Sequence, residues 1–568
     1  MSVNFPYKPI NNSNISSLSI EPALDHVWSL INNKAVPQAN ADCAELNRKF
    51  PHSTDAWYAS SFLAFQLKDF SKAILLINKA IALEPQNVQW QLHKAQSLLL
   101  FGDIKSTQAL IATLISNAPF NQCKLDDKQS LDPSVVDNFA EVALILNRVG
   151  NFELSEFYYQ QAINLVTGSS KQRKAQLFFN LATVQRYLGK IDDAEVSLTA
   201  AIELNPYDYE AYLLRSSLKK QTNEKNHVNE LEQVLNKGIE HPVAKAQVYY
   251  ALAKEFEDLK QYEQSFEYLT KGAQSRRSNI RYDVEHDIAT LNTIIEAFNP
   301  QFFEQQAKQN ELFCNNGEAI FVLGLPRTGS TLVDRIISNH TDVDSAGELN
   351  DFALQMMEQV KAYCYQQNKS GPKNKLELVS LTTKINFTQL GKSYIESTRN
   401  STGKSKHFID KSPLNSLYVG LISLALPRAK IIHVIRHPMD TCYAIYKQLF
   451  TQGYPFSYDL KELGQYYIAH HKMMQHWQDV IPGAIHQIAY EDVIDNIEDQ
   501  AKALILQCDL TWQSQCIDFQ NNKSASTTAS ATQVRQGIYK SSHGKWREFA
   551  QQLAPLKAQL EQAGICCD

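Results

Sequence analysis

The apolar positions of this chain keep one rhythm over its first half and another over its second. From about residue 21 to residue 275 they recur at helical spacing, in paired segments broken by short polar turns. Pro51, Pro85 and Pro119 recur every 34 residues. With a unit starting at Thr54, Ala73 and Ala80 fall where two antiparallel helices must touch closely, and Pro85 closes the unit. A unit starting at Ala175 puts Ala182, Ala194, Ala201 and Pro206 in the matching places. In the stretch 88–119, Ala95 fits, while Thr107 and Leu114 occupy the small-residue positions of the second helix. Phe101-Gly102-Asp103, Val149-Gly150-Asn151 and Leu188-Gly189-Lys190 read as the turns between helices. Degenerate units are predicted at 133–167, with Ala143 and Ala162 as contacts, and at about 210–239. A last pair at 243–273 carries Ala246, Ala251, Ala253 and Ala273. From Ala319 the rhythm changes. Short β-rich runs at 319–323, 407–409, 430–435 and 485–489 alternate with amphipathic segments, the pattern of an α/β domain with a mainly parallel sheet.

The 34-residue phase, the alanines and the prolines together resemble the tetratricopeptide-repeat family. The resemblance implies an all-α solenoid at 21–275, which with the alternation after Ala319 makes a multidomain chain ending in an α/β P-loop-like domain. A polar arm is expected at 1–20, a connecting helix and linker at 276–315, and the α/β domain at 316–568. The connecting stretch holds Arg276, Arg277 and Arg281, then an apolar run at 291–298 closed by Phe298-Asn299-Pro300. Solenoids of this type offer a concave groove, so a protein or peptide partner, or self-association, is the expected use of the repeats.

Bulk composition narrows the classes further. A chain of 568 residues is too long for a single core. A formal net charge of −5 asks for neither nucleic acid nor an acidic membrane surface as partner. The nine cysteines are scattered and include no Cys-x-x-Cys pair, which points to a reducing compartment without a zinc site or disulfide framework. The first residues lack the apolar core of a signal peptide, and the apolar stretch 419–426 is too short to span a bilayer. A cytoplasmic location and no membrane span are the resulting expectations.

The chemistry gathers at Phe321–Thr331, FVLGLPRTGST. A buried strand, a glycine-bearing turn and an amphipathic helix follow one another, the layout that turns backbone N–H groups and a helix N-terminus toward an anion. Gly324 and Gly329 have P-loop spacing, but Ser330 and Thr331 follow Gly329 directly, where a lysine would be expected. The nearest cation is Arg327. For the loop alone, a ligand-free strand–turn–helix corner is the plain alternative. Against it, each of the four predicted strands ends in polar chemistry: Arg327; Asp410-Lys411-Ser412; Arg436-His437; and Tyr490-Glu491-Asp492. In parallel sheets ligands sit beyond those strand ends.

Over about residues 316–550 these pieces resemble a sulfotransferase that uses 3′-phosphoadenosine 5′-phosphosulfate (PAPS). Gly324-Leu325-Pro326-Arg327-Thr328-Gly329-Ser330-Thr331 resembles the loop holding the 5′-phosphosulfate, in the form seen in tyrosylprotein sulfotransferases. Arg436-His437-Pro438-Met439-Asp440 resembles the segment whose arginine holds the 3′-phosphate. Tetratricopeptide repeats fused to such a domain are a bacterial arrangement that this chain resembles. The resemblance implies donor contacts from Pro326, Arg327, Thr328, Gly329, Ser330, Thr331, Arg436, Thr441 and Tyr490, with no metal. It implies that Lys411, set just past a strand end, stabilises the leaving nucleotide, and that Glu348 in Ala346-Gly347-Glu348 is the general base. His340, His407 and His437 are rival bases. Arg535 and Lys545 resemble a closing segment over the 3′-phosphate, with the Ser/Thr/Ala-rich stretch 521–532 expected to order over nucleotide. Ala444 departs from the family, which often has a serine there. The acceptor is a hydroxyl or phenol, with protein tyrosine among the candidates. A noncatalytic repeat protein with a relic nucleotide domain, toward which Ala444 leans, is the alternative. A P-loop kinase is a third reading, disfavoured by the missing lysine.

Overall fold

A computed structural model describes residues 18–117, 133–166, 170–308, 314–399, 402, 405–451, 453–518 and 543–568. They fall into two units, one ending at Gln185 and one beginning at Arg186.

The first unit is built from antiparallel helix pairs, among them Thr54–Gln66 with Phe70–Leu83 and Pro133–Arg148 with Phe152–Leu165. Ala73, Ala80, Ala95, Ala143 and Ala162 are all fully buried, as the small-residue reading requires. Thr107 and Leu114 are buried in the same role. Gly102 and Gly150 take positive φ at the ends of their helices, a geometry that glycine adopts without strain. A pair not foreseen as a unit, Ile20–Asn32 and Val36–Lys49, precedes the repeat that starts at Thr54.

The second unit opens with further repeat helices and ends in the α/β domain. Its last repeat is Pro242–Asp258 with Tyr262–Arg277. Tyr250, Ala253, Phe266, Leu269 and Ala273 of that pair belong to the same core as the first face of the sheet. Arg277 donates to both carboxylate oxygens of Glu462 at 2.7 and 2.8 Å, a bidentate pair that pins the repeat to the helix Leu460–Val480. The connecting stretch holds two helices where one was expected, Val284–Ala297 and Pro300–Lys308. The first ends just before Phe298-Asn299-Pro300, as expected, and Pro300 stands at the start of the second, where its missing N–H costs no hydrogen bond.

The sheet has five parallel strands: β1 (Ala319–Leu323), β2 (Val343–Ser345), β3 (His407–Lys411), β4 (Lys430–Ile435) and β5 (Ile485–Ala489). Their order is β2-β3-β1-β4-β5. β1 is buried on both faces: Ala319, Phe321 and Leu323 join one core, and Ile320 and Val322 the other. Connections leave β1 toward one edge and β4 toward the other, so a crevice opens between the carboxyl ends of these two strands. β2 was not predicted. β3 runs two residues further than expected, which makes Lys411 the last residue of the strand and corrects its placement just past the end.

Candidate active site

The loop after β1 is shaped by its glycines. Gly324 has φ +147°, and a Cβ there would lie 2.3 Å from the Val434 carbonyl oxygen of β4. Gly329 has φ +100°, and its Cβ would strike the Tyr490 ring at 2.3 Å. Between them Arg327 sits at φ +68°, uncommon for a side-chain-bearing residue and typical of loops whose surroundings hold them in place. Gly324→Ala is expected to destabilise the chain by about 2 kcal/mol or more, read as a lowered thermal midpoint, because a backbone carbonyl cannot retreat from the new methyl.

Gly329 caps the helix Ser330–Ser338, whose first-turn N–H groups border the crevice. Pro326, Thr328, Ser330 and Thr331 are buried, and Arg327 is half-buried. The Thr328 hydroxyl donates to Leu325 O at 2.8 Å, locking the turn from within.

Arg436 follows β4 directly. Its Nη1 donates to the Arg327 carbonyl at 3.2 Å, and its guanidinium lies 5.0 Å over the Tyr490 ring. Tyr490 is thus wedged between Gly329 and Arg436, which ties the two anion-binding candidates together. Thr441, in the helix Pro438–Tyr446, is buried and gives its hydroxyl hydrogen to Arg436 O at 3.2 Å. Ala444 is buried in the same helix.

On the other side of β1, the ladder between β2 and β3 runs on past the strand ends. Ala346 N donates to Ile409 O at 2.9 Å, and Lys411 N to Gly347 O at 2.8 Å. That extension delivers Glu348 to Lys411, whose Nζ meets Glu348 Oε1 at 2.5 Å. The Lys411 side chain is only 4% exposed, while that of Glu348 is 55% exposed. A buried ammonium with one solvent-facing carboxylate is a poor way to stabilise a fold, so the plain reading of a structural ion pair is the weaker one. Asp334, one turn into the helix Ser330–Ser338, is buried and feels the Lys411 charge; burial holds its carboxyl above the usual range. Next to Lys411, Asp410 accepts from Tyr394 Oη at 2.9 Å and Asn415 Nδ2 at 3.0 Å. Burial pushes its carboxyl up to about 7.

Lys545 has its Nζ 4.6 Å over the Tyr262 ring of the last repeat. Arg535 and the stretch 521–532 lie outside the described residues. The rival bases separate. His340 is buried, with Nε2 toward Thr511 O and Nδ1 accepting from Asp342 N. His407 begins β3, at the end of the strand away from the crevice. His437 stacks on Trp546.

Two residues with defined jobs carried no role in the sequence reading. Asp440 is buried and accepts from Gly544 N at 2.6 Å and Trp546 N at 3.1 Å, tying the C-terminal segment to the Arg436 helix. Glu491 accepts from His437 N at 2.9 Å. Asp440 stands inside the quoted Arg-His-Pro-Met-Asp segment, which was the available signal.

Below the crevice a small cavity of about 40 Å³ is lined by Thr328, His433, Arg436, Thr441, His470 and His471, among others. Burial lowers His433 to about 4 and His470 to about 3. The unfolded chain binds these protons near 6.5, so each histidine subtracts stability as pH falls below that value. The loss saturates near the folded value, at roughly 3 kcal/mol for His433 and roughly 5 kcal/mol for His470. Thermal midpoints are therefore expected to drop between pH 7.5 and pH 5, and His470→Met to shrink that drop. An equal drop in the variant would contradict the assignment.

Residues 319–514 match the family model described as the sulfotransferase family. Residues 54–87, 175–208 and 246–279 match that of the tetratricopeptide repeat. The chain carries a sulfotransferase-family domain together with tetratricopeptide repeats, and two of the matched repeats begin at Thr54 and Ala175, the predicted phase. An uncharacterized protein of Aquifex aeolicus (strain VF5) is 28% identical over 389 residues, 67% of this chain and 50% of that protein. The chain thus spans about half the length of that curated relative. Among solved structures, the sulfotransferase domain from the curacin biosynthetic pathway is 16% identical and covers 44% of this chain and 98% of its own, with a TM-score of 0.30. The sulfotransferase domain of the Synechococcus PCC 7002 olefin synthase is also 16% identical and covers 42% and 96%, with a TM-score of 0.26. Among the described residues no helix is long and apolar enough to cross a membrane.

Proposed function

We propose that this chain moves a sulfuryl group from PAPS to a hydroxyl or phenol acceptor, leaving adenosine 3′,5′-bisphosphate. The observation that carries this reading is the Glu348–Lys411 contact. A carboxylate fit to take a proton and an ammonium fit to steady a leaving oxygen converge at one strand end, beside an arginine-bearing anion loop.

The residues fit the donor. Gly324 and Gly329 let backbone approach an anion where a Cβ could not. Arg327, the helix N-terminus at Ser330 and the N–H groups of the loop would hold the 5′-phosphosulfate. Thr328 would contribute its N–H, since its hydroxyl hydrogen is given to Leu325. Ser330 and Thr331 would add hydroxyls. Arg436, braced by Tyr490, would hold the 3′-phosphate, with Thr441 supporting it from below.

Sulfuryl transfer is an in-line displacement. The acceptor oxygen bonds to sulfur as the bond from sulfur to the bridging phosphate oxygen breaks. Glu348 takes the acceptor's proton, and Lys411 offsets the charge that builds on the departing bisphosphate. An ammonium has three N–H donors, so Lys411 can keep Glu348 and a phosphate oxygen together. The transferred group bears less charge than a phosphoryl, so positioning and fixed charges suffice without a metal. The repeats would hold a protein acceptor or partner, or pair two chains, in the cytoplasm.

The direct test is incubation with sulfur-labelled PAPS and a panel of phenols, tyrosine peptides, sugars and alcohols. Label appearing in any acceptor, dependent on Lys411, supports the proposal. Release of bisphosphate in no case above the level of Lys411→Ala would overturn it.

A further inference from the structure

The helices of the last repeat each place a polar side chain against a segment that serves the donor site. Glu257, in Pro242–Asp258, accepts from Tyr443 Oη at 2.7 Å and from Lys447 Nζ at 2.9 Å. Tyr443 lies in the helix that begins just after Arg436-His437, and Lys447 caps that helix. Tyr262, at the start of Tyr262–Arg277, lies under Lys545: the ammonium is 4.6 Å from the ring centroid and 3.3 Å from the hydroxyl. Tyr443 and Tyr262 both pack on Phe549, at 4.6 and 5.4 Å between ring centroids. Gly544, the residue before Lys545, is held by Asp440 of the same helix.

A packing seam between a repeat and its neighbour could account for the aromatic contacts. It does not account for the charges. Burial pushes the Glu257 carboxyl up, yet the Lys447 ammonium and the Tyr443 hydroxyl hold it below the usual range, with Lys545 adding to the effect. Placing a carboxylate and two ammonium groups at a seam costs more desolvation than an apolar seam of the same size. The carboxylate stands on the last repeat, and the two ammonium groups stand on the helix that follows Arg436 and on the segment that starts with Lys545. Among the described residues no ion pair holds Lys545. It is steadied by a ring and a hydroxyl instead, which position an ammonium without neutralising it.

We infer that the last repeat is part of the donor site: Tyr262 and Glu257 are positioning residues that set Lys545 and the helix Pro438–Tyr446 for the 3′-phosphate. The inference rests on the donor reading above. Tyr262 fixes the ammonium, and Glu257 fixes the rotation of the helix through Tyr443 and Lys447. The terminal repeat and the nucleotide site then form one functional body, so the repeats cannot be shed without loss of 3′-phosphate recognition.

The test uses the full chain and two ligands that differ at the 3′ position, adenosine 3′,5′-bisphosphate and 5′-AMP, titrated by calorimetry with competition where binding is weak. Tyr262→Leu is expected to weaken the bisphosphate about fivefold to tenfold and to leave 5′-AMP within about twofold. Tyr262→Phe, which keeps the ring, should recover most of the affinity. Adding Lys545→Ala to Tyr262→Leu should cost little beyond Lys545→Ala alone, because both act through one ammonium. If Tyr262→Leu does not fold, Tyr443→Phe reads the same coupling, with about a threefold loss confined to the bisphosphate. Equal losses for the two ligands, or losses that multiply in the double variant, would overturn the inference and leave a packing role. A wild-type chain that does not favour the bisphosphate over 5′-AMP would retire the donor reading itself, and the inference with it.

Discussion

Arg327→Ala is expected to abolish sulfuryl transfer and to weaken adenosine 3′,5′-bisphosphate binding at the same time. Arg327 is the only cation within the loop between β1 and the helix Ser330–Ser338, and its planar fork suits phosphate and sulfate oxygens. Loss of such a charge-assisted contact is worth about 1.5–3 kcal/mol, or roughly 10–100-fold in nucleotide affinity. Charge that builds on the equatorial and bridging oxygens in the transition state adds about 10²–10³ in kcat. The backbone should tolerate the change. Alanine keeps a Cβ at a residue already at φ +68°, and the carbonyl that accepts from Arg436 is retained. Unchanged binding in a folded Arg327→Ala chain would move the 5′-phosphosulfate away from this loop.

Glu348→Gln separates base from binding. Transfer is expected to fall by about 10²–10⁴, the range for a removed general base, while bisphosphate affinity stays within about twofold. Glutamine still offers an oxygen to Lys411, so the chain should stay folded, with a lowered thermal midpoint because the ammonium it faces is only 4% exposed. Full activity in this variant would remove Glu348 from the chemistry and leave the contact with Lys411 as an ion pair only. A large fall in affinity with intact transfer would instead place the carboxylate in nucleotide positioning.

How far the sequence could be read depended on whether a feature was local. β1 announced itself because both its faces are buried, which leaves an unbroken apolar run, and β4 because its run of isoleucines and valine is broken only by His433. β2 did not, since three residues containing Asp344 have no readable period. Phe298-Asn299-Pro300 marked the end of one helix, but a proline that closes one helix does not announce that it also opens the next. The residues of the loop and of Arg436-His437-Pro438-Met439-Asp440 stood out by spacing and type. The 2.5 Å meeting of Glu348 with Lys411 did not, because it comes from a strand ladder that joins segments far apart in the chain. Glu257 and Tyr262 carried no role in the sequence pattern. Nothing in a repeat pattern says which of its side chains face another domain.

The repeats were legible as architecture and not as purpose. Their period fixes helix pairing, and the buried alanines realise it, but the same alanines would serve a groove, a dimer or a spacer. The contacts of the last repeat with the Arg436 helix narrow that range for one pair of helices only.

The most direct measurement is a calorimetric titration of the purified full chain with adenosine 3′,5′-bisphosphate, with 5′-AMP and ATP–Mg as comparison ligands. Tight binding that requires the 3′-phosphate, and that is lost in Arg436→Ala, is the expected result. Binding of none of the three, or a preference for ATP–Mg, would contradict a PAPS donor site.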